Sequence, residues 1–382
     1  MTDSRAATNP LFNDNAFKLG TFGMNVSNGC TISSIDGAFE TTWPNVLRLA
    51  RMADRAGFEG LVPVARWRGF GGETNFNGRC FETYTWAAGL AQATNYSAVF
   101  ATSHVPTMHP VAAAKQATTI DHISGGRFAL NIVCGWFEPE MEMFGAPIME
   151  HELRYEYAGE WVEIVKRLWT ETDEWSAKGR FFNIENAVHK PKPMQRPYPA
   201  LMNAGGSETG RHYTAKYCDM AFVHVTGHDP ETAGREAARV RDLARNTYGR
   251  TIRVWTNCYC VIADTDAEAK RVLDYAVKEK GDWVAVDNIA RSLGVQTQIL
   301  PKEAIEGFKY HFIAGWGGYP LVGTAETVAR EIGRLARAGV DGSVLSWPRY
   351  EEGLGRFIAE VMPLLEQQGL RAPFVPSAMA AE

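Results

Sequence analysis

The sequence predicts a (β/α)8 barrel, and three observations predict it. Eight short apolar runs recur along the 382 residues, and almost every one is followed by a stretch whose apolar residues repeat at helical spacing. Where the runs stop, glycine, polar and aromatic residues crowd together, as expected at the C-terminal ends of parallel strands, where such barrels bind ligands. No GxGxxG follows the first run, so the fingerprint of the rival doubly wound dinucleotide fold is missing.

The elements follow in order. Residues 1–17 are polar and read as a loose N-terminal arm, ahead of a single barrel domain over 18–370 and a tail at 371–382. A strand at 18–26 leads to a helix at 39–56, whose Val46, Leu49, Ala50 and Ala53 share one face and whose end is closed by Gly57. A strand at 60–64 runs into the loop ARWRGFGG (65–72); a helix at 80–94 and a strand at 97–102 follow, the latter ending in Thr102-Ser103-His104. A helix at 110–123 turns through Gly125 and Gly126 into the strand FALNIV (128–133), after which CGWFEPE breaks the pattern. A long amphipathic helix occupies 150–169. Residues 175–199 contain KPKP and read as an irregular excursion, because proline fits neither a helix interior nor a central strand. The rhythm resumes with a strand at 200–203, a helix at 209–217, a strand at 220–225, a helix at 229–248 opened by Asp229-Pro230, a strand at 253–262 and a helix at 266–280. Residues 281–320 depart from it and read as an insertion or mobile segment. A helix at 325–338, a strand at 342–346 and a helix at 350–368 complete the eight units.

Composition narrows the class. Hydrophobic residues make up 45% and charged residues 22%, ordinary for a globular enzyme, and a net charge of −5 offers no basic surface for nucleic acid or an anionic membrane. No apolar run reaches the roughly 18 residues of a membrane span and no signal sequence opens the chain, so a cytoplasmic protein is expected. The six cysteines are scattered without CxxC or Cys/His clusters, which leaves no metal site in view, and Cys258 and Cys260, alternating within an apolar run, read as buried thiols.

The strand ends carry Asn25, then Arg66 and Arg68, then Thr102 and His104, then Asn131, Cys134 and Trp136, then Ser207, and finally His224 and His228. They supply hydrogen-bonding groups and aromatics without a nucleophile–base–orienter set or a carboxylate pair, which points to a bound cofactor that brings the chemistry. Gly205, Gly206 and Ser207, between a strand and a helix, would let backbone N–H groups meet a phosphate, with Arg154 adding charge; a plain serine-capped turn is the alternative. Asn131 stands out because asparagine is depleted in strands, whereas Thr102 is a normal strand residue and Glu140 could simply cap the next helix. His104, His109, His224 and His228 read as polar lining or surface rather than catalytic, with one of them able to contact substrate.

Four stretches together, RGFGG (68–72), TTIDHISGGRFALNIVCGWF (118–137), KPKP (190–193) and LVGT (321–324), make the chain resemble the bacterial luciferase-like, reduced-flavin-dependent monooxygenases. The resemblance runs from residue 19 to about 365 and is closest to the pyrimidine oxygenase and dimethyl sulfone monooxygenase branches. It implies a (β/α)8 barrel using FMN, as FMNH2, with O2 as co-substrate. A flavin–oxygen adduct at N5 or C4a would be the oxidant. It further implies a small-molecule substrate, a separate NAD(P)H:flavin reductase and a homo-oligomer, dimer or tetramer. Residue by residue it places flavin contacts at Ala65, Arg66, Asn131, Glu140, Arg154, Tyr155 and Ser207, beside Gly206. Thr102 and Asn131 would hold O2, with Trp136 close by. Position 66 carries arginine where the family pattern has lysine, which keeps the cation.

In the strand at 253–262, Asn257-Cys258-Tyr259 stands where the alkanesulfonate branch has an Arg-x-His pair, so the resemblance implies a neutral or weakly polar substrate, either an N-heterocycle or an organosulfur compound. Trp67, Phe70, Trp136, Tyr259 and Trp316 would form an aromatic pocket, with GWGGY (315–319) as a lid hinge. Two alternatives stay open: a deazaflavin-dependent hydride-transferring oxidoreductase of the same superfamily, and a non-catalytic flavin-binding protein.

Overall fold

A computed structural model of the chain describes residues 3–146, 148–225, 227–294 and 302–376. Among these residues, eight parallel strands close into a barrel: β1 (Lys18–Phe22), β2 (Gly60–Val62), β3 (Ala98–His104), β4 (Phe128–Val133), β5 (Ala200–Asn203), β6 (Met220–Val223), β7 (Arg253–Ile262) and β8 (Gly342–Ser346). Each strand pairs with the next, and β8 returns to β1 through Lys18↔Gly342 and Leu19↔Ser343. Side chains alternate across this sheet. Val62, Phe100, Ala129, Met202, Trp255 and Val344 fill the barrel, while Leu61, Val99, Leu130, Leu201 and Leu345 point outward to the helices. Trp255 fits inside because β8 opens with a glycine: a Cβ on Gly342 would lie 2.8 Å from the indole.

The helices obey their local signals. The first runs Trp43–Arg55, starting later than the expected 39, because Thr42 caps it by accepting from the Asn45 N–H and Pro44 lies in its first turn. Pro110–Ile123 hands over to β4 through Gly125 and Gly126, whose φ values of +67° and +90° are the left-handed conformation that glycine allows. Strand one stops at Phe22 rather than 26. A short helix at Glu138–Met143, unanticipated, follows β4.

One reading of an irregular segment is corrected and two are filled in. Residues 3–17 are no loose arm: two 3-10 turns, Arg5–Ala7 and Pro10–Phe12, place Leu11 fully buried in the barrel's lower opening, and the Asn9 amide donates to Phe128 O and Gln195 Oε1. One fully buried leucine contributes about 1.5–3 kcal/mol, which adds to these hydrogen bonds in holding the segment in place. The excursion at 175–199 holds an antiparallel hairpin, Trp175–Lys178 with Asn183–Ala187. The segment at 281–320 contains two helices, Trp283–Ser292 and Lys302–Gly315, and then a further parallel strand, Tyr319–Gly323, paired with the outer half of β7; residues 295–301 lie outside the described residues. Of the tail, residues 377–382 also lie outside them. Its start is anchored by Arg371, which donates to Glu59 at 2.7 Å beneath the barrel. No helix among the described residues is long and apolar enough to cross a membrane.

Candidate active site

A cavity of about 910 Å³ opens at the C-terminal ends of the strands, under the inserted helices. That is near the top of the roughly 300–1,000 Å³ typical of ligand pockets, room for an extended cofactor and a small substrate together. Asn131, Cys134, Gly135, Trp136, Arg154, Tyr155, Gly205, Ser207, His224, His228, His311 and Trp316 are among its lining residues.

Asn131 and Thr102 come from adjacent strands and are direct register partners. The Asn131 amide donates to Thr102 Oγ1 at 3.3 Å, and that hydroxyl donates in turn to Pro63 O at 3.0 Å. The chain of bonds fixes the amide's orientation and leaves Asn131 Oδ1 with no partner. Thr102 itself lies one layer back, lining a narrow adjoining recess with Ala65, Arg66 and His104.

One end of the cavity is built by the turn after β5. Asn203 Oδ1 accepts from the Gly205 N–H at 2.8 Å and from Thr214 Oγ1 at 2.7 Å, which ties the turn to the helix Glu208–Tyr217. A Cβ on Gly205 would come within 2.7 Å of Gly210, whereas Gly206 faces open space. Ser207 caps the helix by accepting from the Gly210 N–H at 3.0 Å, so the cap expected from a plain turn is present. It does not exclude the anion reading, because the same hydroxyl lines the cavity beside Tyr155 and Arg154. Arg154 donates Nη1 to Gly135 O at 2.6 Å and keeps Nε without a partner.

Ala65, Arg66 and Glu140 are brought together but lie behind the cavity wall. Glu140 is buried and does not cap its helix. Its Oε2 accepts from Arg66 Nη1 at 3.2 Å, and its Oε1 accepts from the N–H groups of Trp67 at 2.6 Å and Arg68 at 3.2 Å. The guanidinium of Arg66 lies 4.6 Å from the Phe70 ring centroid and 5.4 Å from that of Trp136, a cation–π support for the wall. Of the expected aromatic pocket, Trp136 and Trp316 line the cavity. Phe70 stacks behind Trp136 at 6.0 Å, and Trp67 is 44% exposed against Phe144. GWGGY ends the helix Lys302–Gly315 and begins the further strand; Trp316 packs on Phe70, Phe76 and Phe312.

His311 was missed by sequence reasoning because it lies in the segment that broke the barrel rhythm. Phe308, His311 and Phe312, at i, i+3 and i+4 ahead of Gly317, were the available helix signal. Its ring stacks on His228 at 3.5 Å, and its Nδ1 is 2.9 Å from the Tyr259 hydroxyl. Burial pushes His311 down to about 4, with His228 adding repulsion, and lowers His228 and His224 as well. His224 lines the cavity with its side chain exposed to it. His104 is buried in the recess and pushed down to about 3 by burial and by Arg66; His109 instead caps the helix Pro110–Ile123.

Comparison with known proteins gives a consistent picture. Residues 21–342 match the family described as luciferase-like monooxygenase. The chain is 32% identical over 367 residues to the pyrimidine monooxygenase RutA of Bradyrhizobium sp., covering 92% of this chain and 98% of that one. It is 30% identical over 351 residues to the FMNH2-dependent dimethylsulfone monooxygenase of Pseudomonas putida, covering 90% and 93%. In fold it superposes on DmoA from Hyphomicrobium sulfonivorans with a TM-score of 0.82 at 18% identity, covering 94% and 90%. It superposes on the riboflavin lyase RcaE with a TM-score of 0.83 at 21% identity, covering 94% of each chain.

Proposed function

The chain belongs to the luciferase-like monooxygenase family, and on that premise we propose that it uses reduced FMN and O2 to oxygenate a small uncharged molecule. Pyrimidine-like N-heterocycles and sulfone-like organosulfur compounds are the two candidate classes, as in the names of the relatives from Bradyrhizobium and Pseudomonas putida. One observation carries the reading: among the described residues, Arg154 is the single permanently charged side chain in a lining otherwise made of amide, hydroxyl, imidazole, sulfur-bearing, aromatic and aliphatic groups, with no carboxylate and no lysine.

The residues fit the cofactor. Ser207, the open face of Gly206 and the unpartnered Nε of Arg154 suit a phosphate at a helix N-terminus. Tyr155 packs beside them, and Arg66 with Glu140 holds the 65–68 loop and the Trp136 wall from behind. Bound reduced flavin would supply the electrons that activate O2. Asn131, its amide aimed by Thr102, would offer the second N–H of that amide to O2 and stabilise negative charge developing on it, because preorganised donors act strongly in a dry site. Trp136, Trp316 and Phe312 exclude water from that place. A separate NAD(P)H:flavin reductase would deliver the reduced flavin, in line with a relative named for FMNH2.

The test is turnover with FMNH2 and ¹⁸O2 against a panel of pyrimidines and small sulfones, read by mass spectrometry. Label in an organic product is the expected result. Anaerobic turnover with a deazaflavin would replace the reading by hydride transfer, and FMN binding without turnover of any substrate would replace it by a flavin carrier.

A further inference from the structure

We propose that His228 and His311 form the substrate-selecting edge of the cavity, a stacked imidazole pair that recognises an uncharged molecule carrying an N–H donor and a carbonyl acceptor side by side, as an amide, lactam or cyclic imide does. This rests on the monooxygenase reading above and narrows its substrate class.

The two rings come from different parts of the chain, the loop after β6 and the inserted helix Lys302–Gly315, and lie 3.5 Å apart at 11°. Two cations cannot share that separation in a desolvated wall, so the stack itself requires at least one neutral ring, and burial lowers both. The charged groups nearby are already committed. Asp229, next to His228, accepts from the Thr232 N–H at 2.8 Å and from its hydroxyl at 2.7 Å, Lys309 pairs with Asp287, and the Tyr310 hydroxyl donates to Asp274.

A neutral imidazole carries one N–H donor and one lone-pair acceptor, so the pair presents both kinds of group. Tyr259 occupies His311 Nδ1 and fixes that ring; it is a positioning residue acting through His311. The helix reaches Tyr259 because Gly315 has no side chain: a Cβ there would lie 2.3 Å from Tyr259 Cβ. His228 Nε2 is buried with no partner at hydrogen-bond distance, while an interaction of the ring with the Gly317 backbone opposes part of the lowering by burial. A sulfone brings acceptors only and an alkane neither, so each would leave imidazole nitrogens unpaired in a dry wall, whereas the edge of an amide or imide pairs both.

The experiment titrates the FMN-loaded protein calorimetrically with uracil, a cyclic imide, and with dimethyl sulfone, an acceptor-only probe, in wild type, His311→Phe and His311→Gln. His311→Phe keeps the stack and removes the hydrogen bonds; His311→Gln keeps a donor and an acceptor. Uracil is expected to bind wild type more tightly than the sulfone and to weaken about tenfold or more in His311→Phe, with partial recovery in His311→Gln and FMN affinity unchanged. In turnover the loss enters KM rather than kcat, and Tyr259→Phe shifts the acid limb of kcat/KM. Equal uracil affinity in His311→Phe, tighter binding of the sulfone, or no uracil binding to wild type overturns the proposal. Normal uracil selectivity without ¹⁸O incorporation would instead overturn the monooxygenase reading and leave this one standing.

Discussion

The two ends of the barrel treat buried polar atoms in opposite ways. At the lower end, Glu59 and Arg371 form an ion pair with 0% and 1% side-chain exposure. Glu59 also accepts from the Leu19 N–H at 2.8 Å, Asn13 Nδ2 at 3.1 Å and Asn15 Nδ2 at 2.6 Å, while Arg371 Nη2 donates to Gly57 O at 2.6 Å. Arg127, also buried there, spreads its guanidinium over the carbonyls of Ser124, Ser97, Ala91 and Thr94. At the upper end, Asn131 Oδ1, Arg154 Nε, His104 Nδ1, His228 Nε2 and Asn257 Oδ1 are buried without partners. Each such atom costs about 1–3 kcal/mol if nothing pairs with it. The difference separates the face that holds the chain together from the face that is left for a ligand.

The largest expected effect breaks the lower end. Arg371→Ala strands Glu59 as an uncompensated buried charge and should lower stability by about 3–5 kcal/mol in denaturant unfolding, with FMN affinity of the folded fraction unchanged. A parallel loss of FMN affinity would show that the two ends are not separate. Asn131→Ala should do the reverse. It removes an orphaned acceptor and one long hydrogen bond, so its denaturant midpoint should hardly move, while product formed per O2 consumed falls by about 10²–10³-fold; intact coupling with FMN bound would remove Asn131 from the oxygen site.

Ser207→Ala combined with Arg154→Ala should weaken FMN by at least about tenfold while riboflavin binding changes little, since only the former carries a phosphate. Equal losses for the two flavins would place the phosphate elsewhere. A further effect is a pH dependence at the upper end. His104 is pushed to about 3 by burial and Arg66, so between the unfolded value of about 6.5 and that limit the folded state binds fewer protons than the unfolded one. Stability should therefore fall as pH drops through this window, by at most about 1.4 kcal/mol per pH unit from this group, and His104→Leu should reduce the slope seen in thermal unfolding.

Much of the upper end was readable before the fold was known. Asn131 announced itself as an asparagine inside an apolar strand, and Gly125 with Gly126 marked the turn that delivers it. Gly205 to Ser207 were legible as a turn able to meet an anion, although a cap and an anion site use the same three residues, and only the shared cavity with Arg154 and Tyr155 favours both roles at once. Glu140 was legible as a polar residue near the site but not as the anchor of the 65–68 loop, because its partners lie more than 70 positions away. His311 was hidden for the same reason, since nothing in its own helix indicates that His228 and Tyr259 will be its neighbours.

By itself the sequence determined what depends on short-range pattern: eight strands, most of the helices, the capped and glycine-bearing turns, and the list of groups standing at the strand ends. Tertiary structure decided what depends on where distant segments meet. It turned the arm into a plug under Trp255, made the rhythm-breaking insertion a second wall of the cavity, and gave Glu59, Arg371 and Arg127 their partners at one end while leaving Asn131, Arg154 and His228 with unpaired atoms at the other. Periodicity is a property of neighbours along the chain, whereas pairing in a barrel is set by closure, which brings β8 back to β1 and His311 over His228.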